Sequence, residues 1–172
     1  QLEKEMTQIA ENISEIRKRY AQDLNEKINR ELIDLEMKNA KINVRVEYKV
    51  NEFFEDGKDK VEIFIKTNIG ENENELIKIA SGGEMSRIML AIKKVLSEAD
   101  KMPVLIFDEI DTGISGKAGF AVADKLHNLA EDKQVICVTH LASIAAKGDN
   151  NLYVDKVIEN DRTVTRITKL NK

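Results

Sequence analysis

The sequence predicts an α/β fold that combines a long N-terminal helix, a pair of antiparallel strands and a parallel sheet. Three observations lead to this class: an apolar repeat with helical spacing in residues 1–40, two stretches in which every second residue is apolar, and two wholly apolar runs that alternate with helical segments. The chain has 172 residues, of which 42% are hydrophobic, enough for one domain and an appendage. We therefore expect one hydrophobic core.

Composition excludes several classes of protein. The chain has 27 basic and 31 acidic residues and a net charge of -4, so no overall positive field attracts nucleic acid. The single cysteine, Cys137, excludes a disulfide within the chain and lies in an apolar run typical of a buried strand. No apolar run approaches the roughly 20 residues that cross a bilayer, and the N-terminus carries charges instead of a signal-peptide core. We expect a cytoplasmic protein.

The N-terminal helix has two parts. Over residues 1–20 the apolar positions alternate steps of four and three, the spacing of a coiled-coil seam. The steps then become four through Leu24, Ile28 and Leu32, so the stripe leaves the heptad register. We predict that residues 1–40 hold the end of a coiled-coil arm and the helix that enters the globular body. A single amphipathic helix packed on its own domain is the alternative. The seam consists of Leu2, Met6, Ile9, Ile13, Ile16 and Tyr20.

The next segment predicts an antiparallel pair of strands. Every second residue is apolar in residues 42–50, and residues 61–65 repeat the pattern after a loop. Residues 69–78 show no periodicity, which predicts an exposed loop.

The second half of the chain alternates helices with apolar strands. This order predicts two parallel strands in a sheet that is covered on both faces. Residues 152–170 are predicted to close the chain with a hairpin around Asn160-Asp161. The predicted segments are helices over about 83–99 and 117–130 and strands over 104–107 and 135–138.

Two carboxylates, Asp108 and Glu109, follow the first of these buried strands. Open α/β sheets bind ligands at this edge. One acid there can hold Mg²⁺ through water while its neighbour polarises an attacking water, which are the two needs of nucleotide hydrolysis. Asp108 suits the first role and Glu109 the second. On its own, such a pair more often marks a solvated strand end.

Two further motifs add to the carboxylates. Ser81-Gly82-Gly83-Glu84 opens a long helix, where glycines let the backbone approach a ligand and the helix N-terminus offers donors to a phosphate. His140 follows the second buried strand and so lies at the same sheet edge as the carboxylates. A neutral imidazole there can hydrogen-bond a terminal phosphate or the attacking water. Alone, the first motif is a routine helix cap and the second a solvated histidine.

In order and spacing, the three motifs together resemble the signature, Walker B and switch motifs of ABC-type ATPases. The strings over residues 79–91, 105–116 and 139–146 resemble the C-terminal part of the RecN family, bacterial relatives of the SMC proteins. The resemblance covers most of residues 40–156. It implies that residues 41–172 form the C-terminal lobe of an ABC-type ATPase head, and that the N-terminal helix is the returning arm of a coiled coil.

The resemblance also implies roles for these residues. It implies ATP and Mg²⁺ as cofactors, Glu109 and His140 as catalytic residues, and Asp108 as the metal ligand. The four residues of the signature motif, Ser81 to Glu84, would contact nucleotide bound by a second head.

The D-loop departs from the pattern of transporter ATPases. Those proteins carry an aspartate at the D-loop position that Ser115 occupies here, and Ile110-Asp111 replaces their Pro-Thr. We therefore expect Ser115 or Asp111 to replace the aspartate's contact with nucleotide across the dimer.

The sequence contains no P-loop, the string Gly-x₄-Gly-Lys-Ser/Thr that wraps phosphates. In RecN and SMC relatives the P-loop lies on an N-terminal lobe, beyond the coiled coil. We therefore expect the lobe to need the N-terminal P-loop lobe of the same protein and a second head, as a homodimer. By itself it should lack ATPase activity.

The resemblance implies a biological setting as well. It implies ATP-driven head dimerisation in DNA double-strand break repair and recombination, DNA contact through the full-length protein, no membrane partner, and a nucleoid-associated location in bacteria. Two alternatives remain: the head lobe of another SMC-like ATPase in chromosome organisation or nuclease partnership, and a non-enzymatic dimerisation module. Intact Asp108, Glu109 and His140 argue against the second, because a scaffold needs none of them.

Overall fold

The computed structural model describes residues 1–78, 81–159 and 161–170. Ile79 and Ala80 at the start of the signature string, and Asn160 at the predicted hairpin turn, lie outside the described residues. Within the described ranges, no helix is long and apolar enough to span a bilayer. In chain order the elements are α1 (Leu2–Asp34), β1 (Lys41–Tyr48), β2 (Asp59–Lys66), β3 (Asn74–Glu75), a 3-10 helix (Leu76–Lys78), α2 (Gly82–Val95), β4 (Val104–Phe107), α3 (Lys117–Ala130), β5 (Gln134–Cys137), α4 (Ala142–Ala145), β6 (Asn151–Glu159) and β7 (Arg162–Leu170).

The C-terminal part of α1 enters the core, as its change of apolar spacing predicts. Ile28 and Leu32 are buried in the cluster that also holds the apolar faces of α2 and α3. The helix ends where Glu36 adopts a left-handed conformation with φ of 59°, and the Met37 N–H donates to the Leu32 carbonyl at 2.9 Å. This 6→1 bond closes the helix in the way a Schellman motif does.

The N-terminal part of α1 packs on its own domain through small residues and leaves the predicted seam outside. Five of the six seam side chains are between 49% and 76% exposed. Ala10, Ser14 and Ala21 are buried on another face of the helix. There the Ser14 hydroxyl donates to the Asp59 carboxylate at 2.6 Å, and Arg17 pairs with the same carboxylate at 3.0 Å. The coiled coil itself stays a prediction.

The antiparallel pair is confirmed, because β1 and β2 pair along their whole lengths, from Lys41 opposite Lys66 to Tyr48 opposite Asp59. The free edge of β1 faces α1. The side-chain amide of Asn29 bonds both backbone groups of Ile42, at 2.7 and 3.0 Å, and Asn25 accepts from the Val44 N–H at 2.6 Å. Two asparagines one helical turn apart thus take the place of a neighbouring strand.

The predicted loop at 69–78 is partly wrong. Asn74 and Glu75 form the short strand β3 on the free edge of β2, opposite Ile65 and Phe64, and a 3-10 helix follows. A strand of two residues has no alternating pattern to detect, and its existence depends on the edge of β2.

The parallel pair is also confirmed: β4 and β5 pair from Val104 opposite Gln134 to Phe107 opposite Cys137. The expectation that both faces are covered is wrong for this chain. Leu105 and Phe107 are buried, whereas Ile106 is 69% exposed. The helices α2 and α3 supply a covering layer for one face of the pair, and the residues that the structure describes supply none for the other.

The remaining boundaries differ slightly from expectation. Helix α2 ends four residues before the predicted Ala99, because the chain turns back toward β4 at Asp100. The Asp100 carboxylate accepts from Lys93 Nζ at 2.7 Å and from the Met102 N–H at 3.0 Å, which fixes that turn. Helix α3 has its predicted bounds, and β6 and β7 form the predicted hairpin.

The contrast between two neighbouring residues of α1 tests the core. Leu32 is fully buried and Ile33 is 50% exposed. We expect Leu32→Ala to lower the free energy of unfolding by about 2–5 kcal/mol, through lost burial and the cavity that remains. The control Ile33→Ala should cost about 1 kcal/mol or less. Urea unfolding followed by circular dichroism measures both, and equal losses would contradict the packing of α1 described above.

Candidate functional site

The two carboxylates lie where β4 ends, and both side chains are exposed. Asp108 Oδ1 accepts the N–H of Glu109 at 2.9 Å, which fixes the orientation of the Asp108 carboxylate. Glu109 has a φ of 56°, in the left-handed region that residues with a side chain rarely adopt. Such strain outside glycine is often found at functional sites, where it aims a side chain.

The first turn of α2 lies directly on the loop that carries these carboxylates. A Cβ on Gly83 would lie 2.9 Å from both Cβ and the carbonyl oxygen of Thr112, and 3.1 Å from the Glu109 carbonyl oxygen. A Cβ on Gly82 would instead overlap the Glu109 carboxylate. Packing within the chain therefore requires a glycine at position 83, where a Cβ would meet backbone, whereas at position 82 a Cβ would meet only the end of a flexible side chain.

Two side chains of α2 hold the helix on this loop. The Ser86 hydroxyl donates to the Asp108 carbonyl at 2.7 Å, and Arg87 Nη1 donates to the carbonyls of Ile110 at 3.1 Å and Thr112 at 2.8 Å. Arg87 is buried, and burial lowers the pKa of its guanidinium, against the opposing charge of Glu84. The Ser81 hydroxyl caps α2 by a long 3.4 Å contact with the Glu84 N–H.

Asp111 points into the protein, and joins the loops that follow the two parallel strands. Its Oδ2 accepts from the Thr139 hydroxyl at 2.5 Å, the His140 N–H at 2.7 Å and the Leu141 N–H at 3.3 Å. Burial alone would raise the pKa of the Asp111 carboxyl, but the Thr139 and His140 hydrogen bonds and the charge of the His140 ring together hold it below its ordinary value.

His140 combines a fixed backbone with an exposed ring. Its side chain is 72% exposed, and its Nδ1 lies 3.1 Å from Asp111 Oδ2. Ser115 is exposed in the segment before α3, whereas Asp111 is 3% exposed and bonded within the chain. Of the two residues expected to contact nucleotide across the dimer, Ser115 is the accessible one.

Three residues that connect the predicted site residues were not themselves predicted from the sequence. Ser86, Arg87 and Thr139 each bond the 108–112 loop. An arginine on the buried face of an apolar helix, one turn after two glycines, was the available signal, because a buried guanidinium requires nearby acceptors.

A magnesium ion fits this site only together with its nucleotide. In the described ranges, His, Cys, Asp and Glu form no group of three or more that would hold a metal ion. Mg²⁺ commonly takes one or two carboxylates and completes its shell with water and phosphate oxygens. One carboxylate, such as that of Asp108, would therefore be sufficient. The neighbouring thiol has no such role: burial, with the charges of Asp111 and Asp108, raises the pKa of Cys137 to about 11.

Several known proteins with related sequences are named DNA repair protein RecN. The chain is 40% identical to the DNA repair protein RecN of Bacillus subtilis over 179 residues, which cover 95% of this chain and 31% of that protein. It is 36% identical to RecN of Haemophilus influenzae, over 98% of this chain and 30% of that protein. Nearly the whole chain is similar to RecN. The resemblance predicted from the motifs is confirmed, and the chain spans about a third of the length of these curated RecN proteins. No protein-family model matches it.

Solved structures show the same fold. The SMC head domain of Pyrococcus furiosus, with an extended coiled coil, matches with a TM-score of 0.63 and 18% identity over 95% of this chain and 38% of that chain. The SMC head of Pyrococcus yayanosii matches with a TM-score of 0.62 and 23% identity, over 99% and 32%. An SMC ATPase described for ATP-driven dimerisation and DNA-stimulated activation matches with a TM-score of 0.55 and 18% identity, over 92% and 89%. The predicted α/β fold class is confirmed, and the chain is similar in fold to part of these SMC head domains.

The two glycines should respond differently to a methyl group. Gly83→Ala places Cβ against the backbone of Glu109 and Thr112, which cannot yield without moving the loop, so we expect a loss of about 1–3 kcal/mol in the free energy of unfolding. Gly82→Ala meets only the Glu109 side chain, which can rotate away, and alanine favours the helix, so stability should change by about 1 kcal/mol or less. Chemical denaturation compares the two, and an equal loss would contradict the assigned packing.

Proposed function

We propose that this chain is the C-terminal ATPase lobe of a RecN-like protein that acts in DNA double-strand break repair and recombination. One observation carries the proposal: the first turns of α2, the Asp108-Glu109 pair and His140 are joined at one end of the parallel strands by hydrogen bonds through Arg87 and Asp111. The relatives named DNA repair protein RecN support the repair role.

The chemistry is hydrolysis of ATP, and the residues have separate roles. Glu109 takes a proton from the attacking water while the water oxygen bonds to the γ-phosphorus. The bond between the γ-phosphorus and the bridging oxygen breaks, and ADP leaves with that oxygen. Mg²⁺, held by Asp108 with the phosphates, would neutralise charge on the leaving group. The exposed His140 ring hydrogen-bonds the reacting groups at the same sheet edge.

The signature segment acts on nucleotide held by a second head. Ser81 and Gly82 are exposed at the N-terminus of a fourteen-residue helix, where backbone N–H groups and the helix dipole favour a phosphate. Ser115 is exposed before α3 and supplies the contact that an aspartate makes in other D-loops, in place of the buried Asp111. ATP between two heads then forms a homodimer, and hydrolysis releases it.

The phosphate-binding P-loop comes from the N-terminal lobe of the same protein. The outer face of the parallel pair is the surface that this lobe covers. Its side chains are apolar and exposed: Ile106 by 69%, Ile136 by 44% and Val138 by 57%. Apolar surface on strands of a parallel sheet is normally covered by another layer, which supports an assembly of two lobes. DNA is engaged through the full-length protein, which the dimerisation cycle opens and closes.

The water-activating role is tested by Glu109→Gln in the full-length protein. The amide cannot accept the proton, so we expect turnover to fall by roughly a hundredfold or more while ATP-bound dimers accumulate. Glu131→Gln, the same change at an exposed carboxylate after α3, is the matched control and should turn over normally. Phosphate release and size-exclusion chromatography with ATP measure the two effects. Unchanged turnover in Glu109→Gln would refute the assignment.

The need for other segments is tested with the chain alone. Because no P-loop occurs in these 172 residues, we expect the purified chain to hydrolyse no ATP above the buffer rate. Adding the separately expressed N-terminal lobe should restore magnesium-dependent turnover. Magnesium-dependent turnover by the chain alone, abolished by Glu109→Gln, would contradict the proposal that the nucleotide is held elsewhere.

A further inference from the structure

The Asp111 carboxylate has more contacts than are needed to hold the loop after β5 in place. Its Oδ2 accepts from the Thr139 hydroxyl and two backbone amides, and these bonds alone would fix the loop after β5. In addition, Nδ1 of the His140 ring lies 3.1 Å from the same oxygen. An exposed side chain, 72% accessible, would otherwise be free to turn into solvent.

We propose that Asp111 is a positioning residue for His140: it holds the ring proton on Nδ1 and turns Nε2 outward, toward the reacting groups. The proposal rests on the ATPase function proposed above and gives Asp111 a role in place of the nucleotide contact expected from the sequence. Thr139 and the backbone of the loop hold the carboxylate, and the carboxylate orients the ring.

The physical reason lies in the two tautomers of a neutral imidazole. A carboxylate beside Nδ1 favours a proton on that nitrogen. It thereby stabilises the tautomer in which Nδ1 is the donor and Nε2 carries the lone pair. With Nδ1 beside the buried Asp111 and the side chain 72% exposed, Nε2 is the nitrogen that we expect to face the reacting groups. In this tautomer Nε2 accepts a hydrogen bond, so the neutral ring suits the attacking water, which can donate, and not a bare phosphate oxygen, which cannot.

The carboxylate is well placed to keep its charge for this task. Asp111 is 3% exposed, so an unpaired charge there would be costly. The donors around Oδ2 offset that cost, and the pKa of the Asp111 carboxyl lies below its ordinary value. A neutral asparagine in the same place would still accept from the amides, but its NH₂ group could donate to His140 Nδ1 and so favour the opposite tautomer.

The tautomer is measured directly by ¹⁵N NMR of the histidine ring nitrogens in the 172-residue chain above pH 8. The sequence contains two histidines, and His127, exposed near the end of α3, is an internal reference that should show the Nε2–H form usual in water. We expect His140 to show the Nδ1–H form. An Nε2–H form of His140 in the unchanged chain overturns the proposal without recourse to any variant.

Two variants separate charge from loop structure. Asp111→Asn should shift His140 to the Nε2–H form, whereas Thr139→Val, which removes another partner of the same oxygen, should leave it as Nδ1–H. If Thr139→Val shifts the tautomer as Asp111→Asn does, loop integrity and not the carboxylate sets it, and the proposal fails.

The full-length protein provides a second measurement that does not depend on the NMR sample. Asp111→Asn should lower kcat for ATP roughly ten- to hundredfold, with KM changed by no more than about twofold, because the substitution affects the reacting water and not nucleotide binding. A rise in KM with kcat retained would show that Asp111 acts in nucleotide binding, and would overturn the proposal. If the unchanged protein hydrolyses no ATP, the proposed function fails, and the tautomer result decides the positioning of His140 independently.

Discussion

The close approach of α2 to the backbone of residues 108–112 is the constraint on which the site depends. Gly83 permits the contact, because any larger side chain would lie within 3 Å of Thr112. Ser86 and Arg87 then hold it through three hydrogen bonds to main-chain carbonyls. Since these bonds reach backbone, they fix the position of the loop whatever its side chains are. The N-terminus of α2 and the two carboxylates therefore belong to one rigid unit, although in the proposed dimer they would face different nucleotides.

Two buried charged side chains hold α2, the 108–112 loop and the loop after β5 together. Each is hydrogen-bonded mostly to main-chain groups. Arg87 donates to carbonyls, and Asp111 accepts from amides and a hydroxyl. Leaving such a charge unpaired in the interior costs several kcal/mol, so loss of either partner set disrupts the arrangement far more than loss of a surface ion pair would. The bonds form a continuous path from α2 through the 108–112 loop to His140. In the proposed head, a displacement of α2 would reach the His140 ring along this path.

The sequence predicted the elements whose pattern is local. The apolar run 104–107 and helix 117–130 were found with their observed bounds, because wholly apolar strands and amphipathic helices carry their own signal. Asn25 and Asn29 could not be recognised as partners of β1, since an asparagine on a helix is ordinary until a strand edge lies beside it. The sequence also could not show which way the Asp111 side chain points. Its spacing from Glu109 allowed either a contact across the dimer or an inward bond, and only the position of Thr139 and His140 decides between them.

The exposed face of β4 and β5 connects assembly with chemistry. The same two strands carry the reactive groups at their ends and apolar side chains such as Ile106 and Val138 on their outer face. Because side chains alternate along a strand, a layer that packs on Ile106 fixes the pleat that also sets the direction of Asp108, two residues later. In the proposed head, the lobe that brings the P-loop therefore adds more than a phosphate site. By covering these strands it adds a second restraint on Asp108 and Glu109, beside the hydrogen bonds from α2, in the same step that delivers the nucleotide to them.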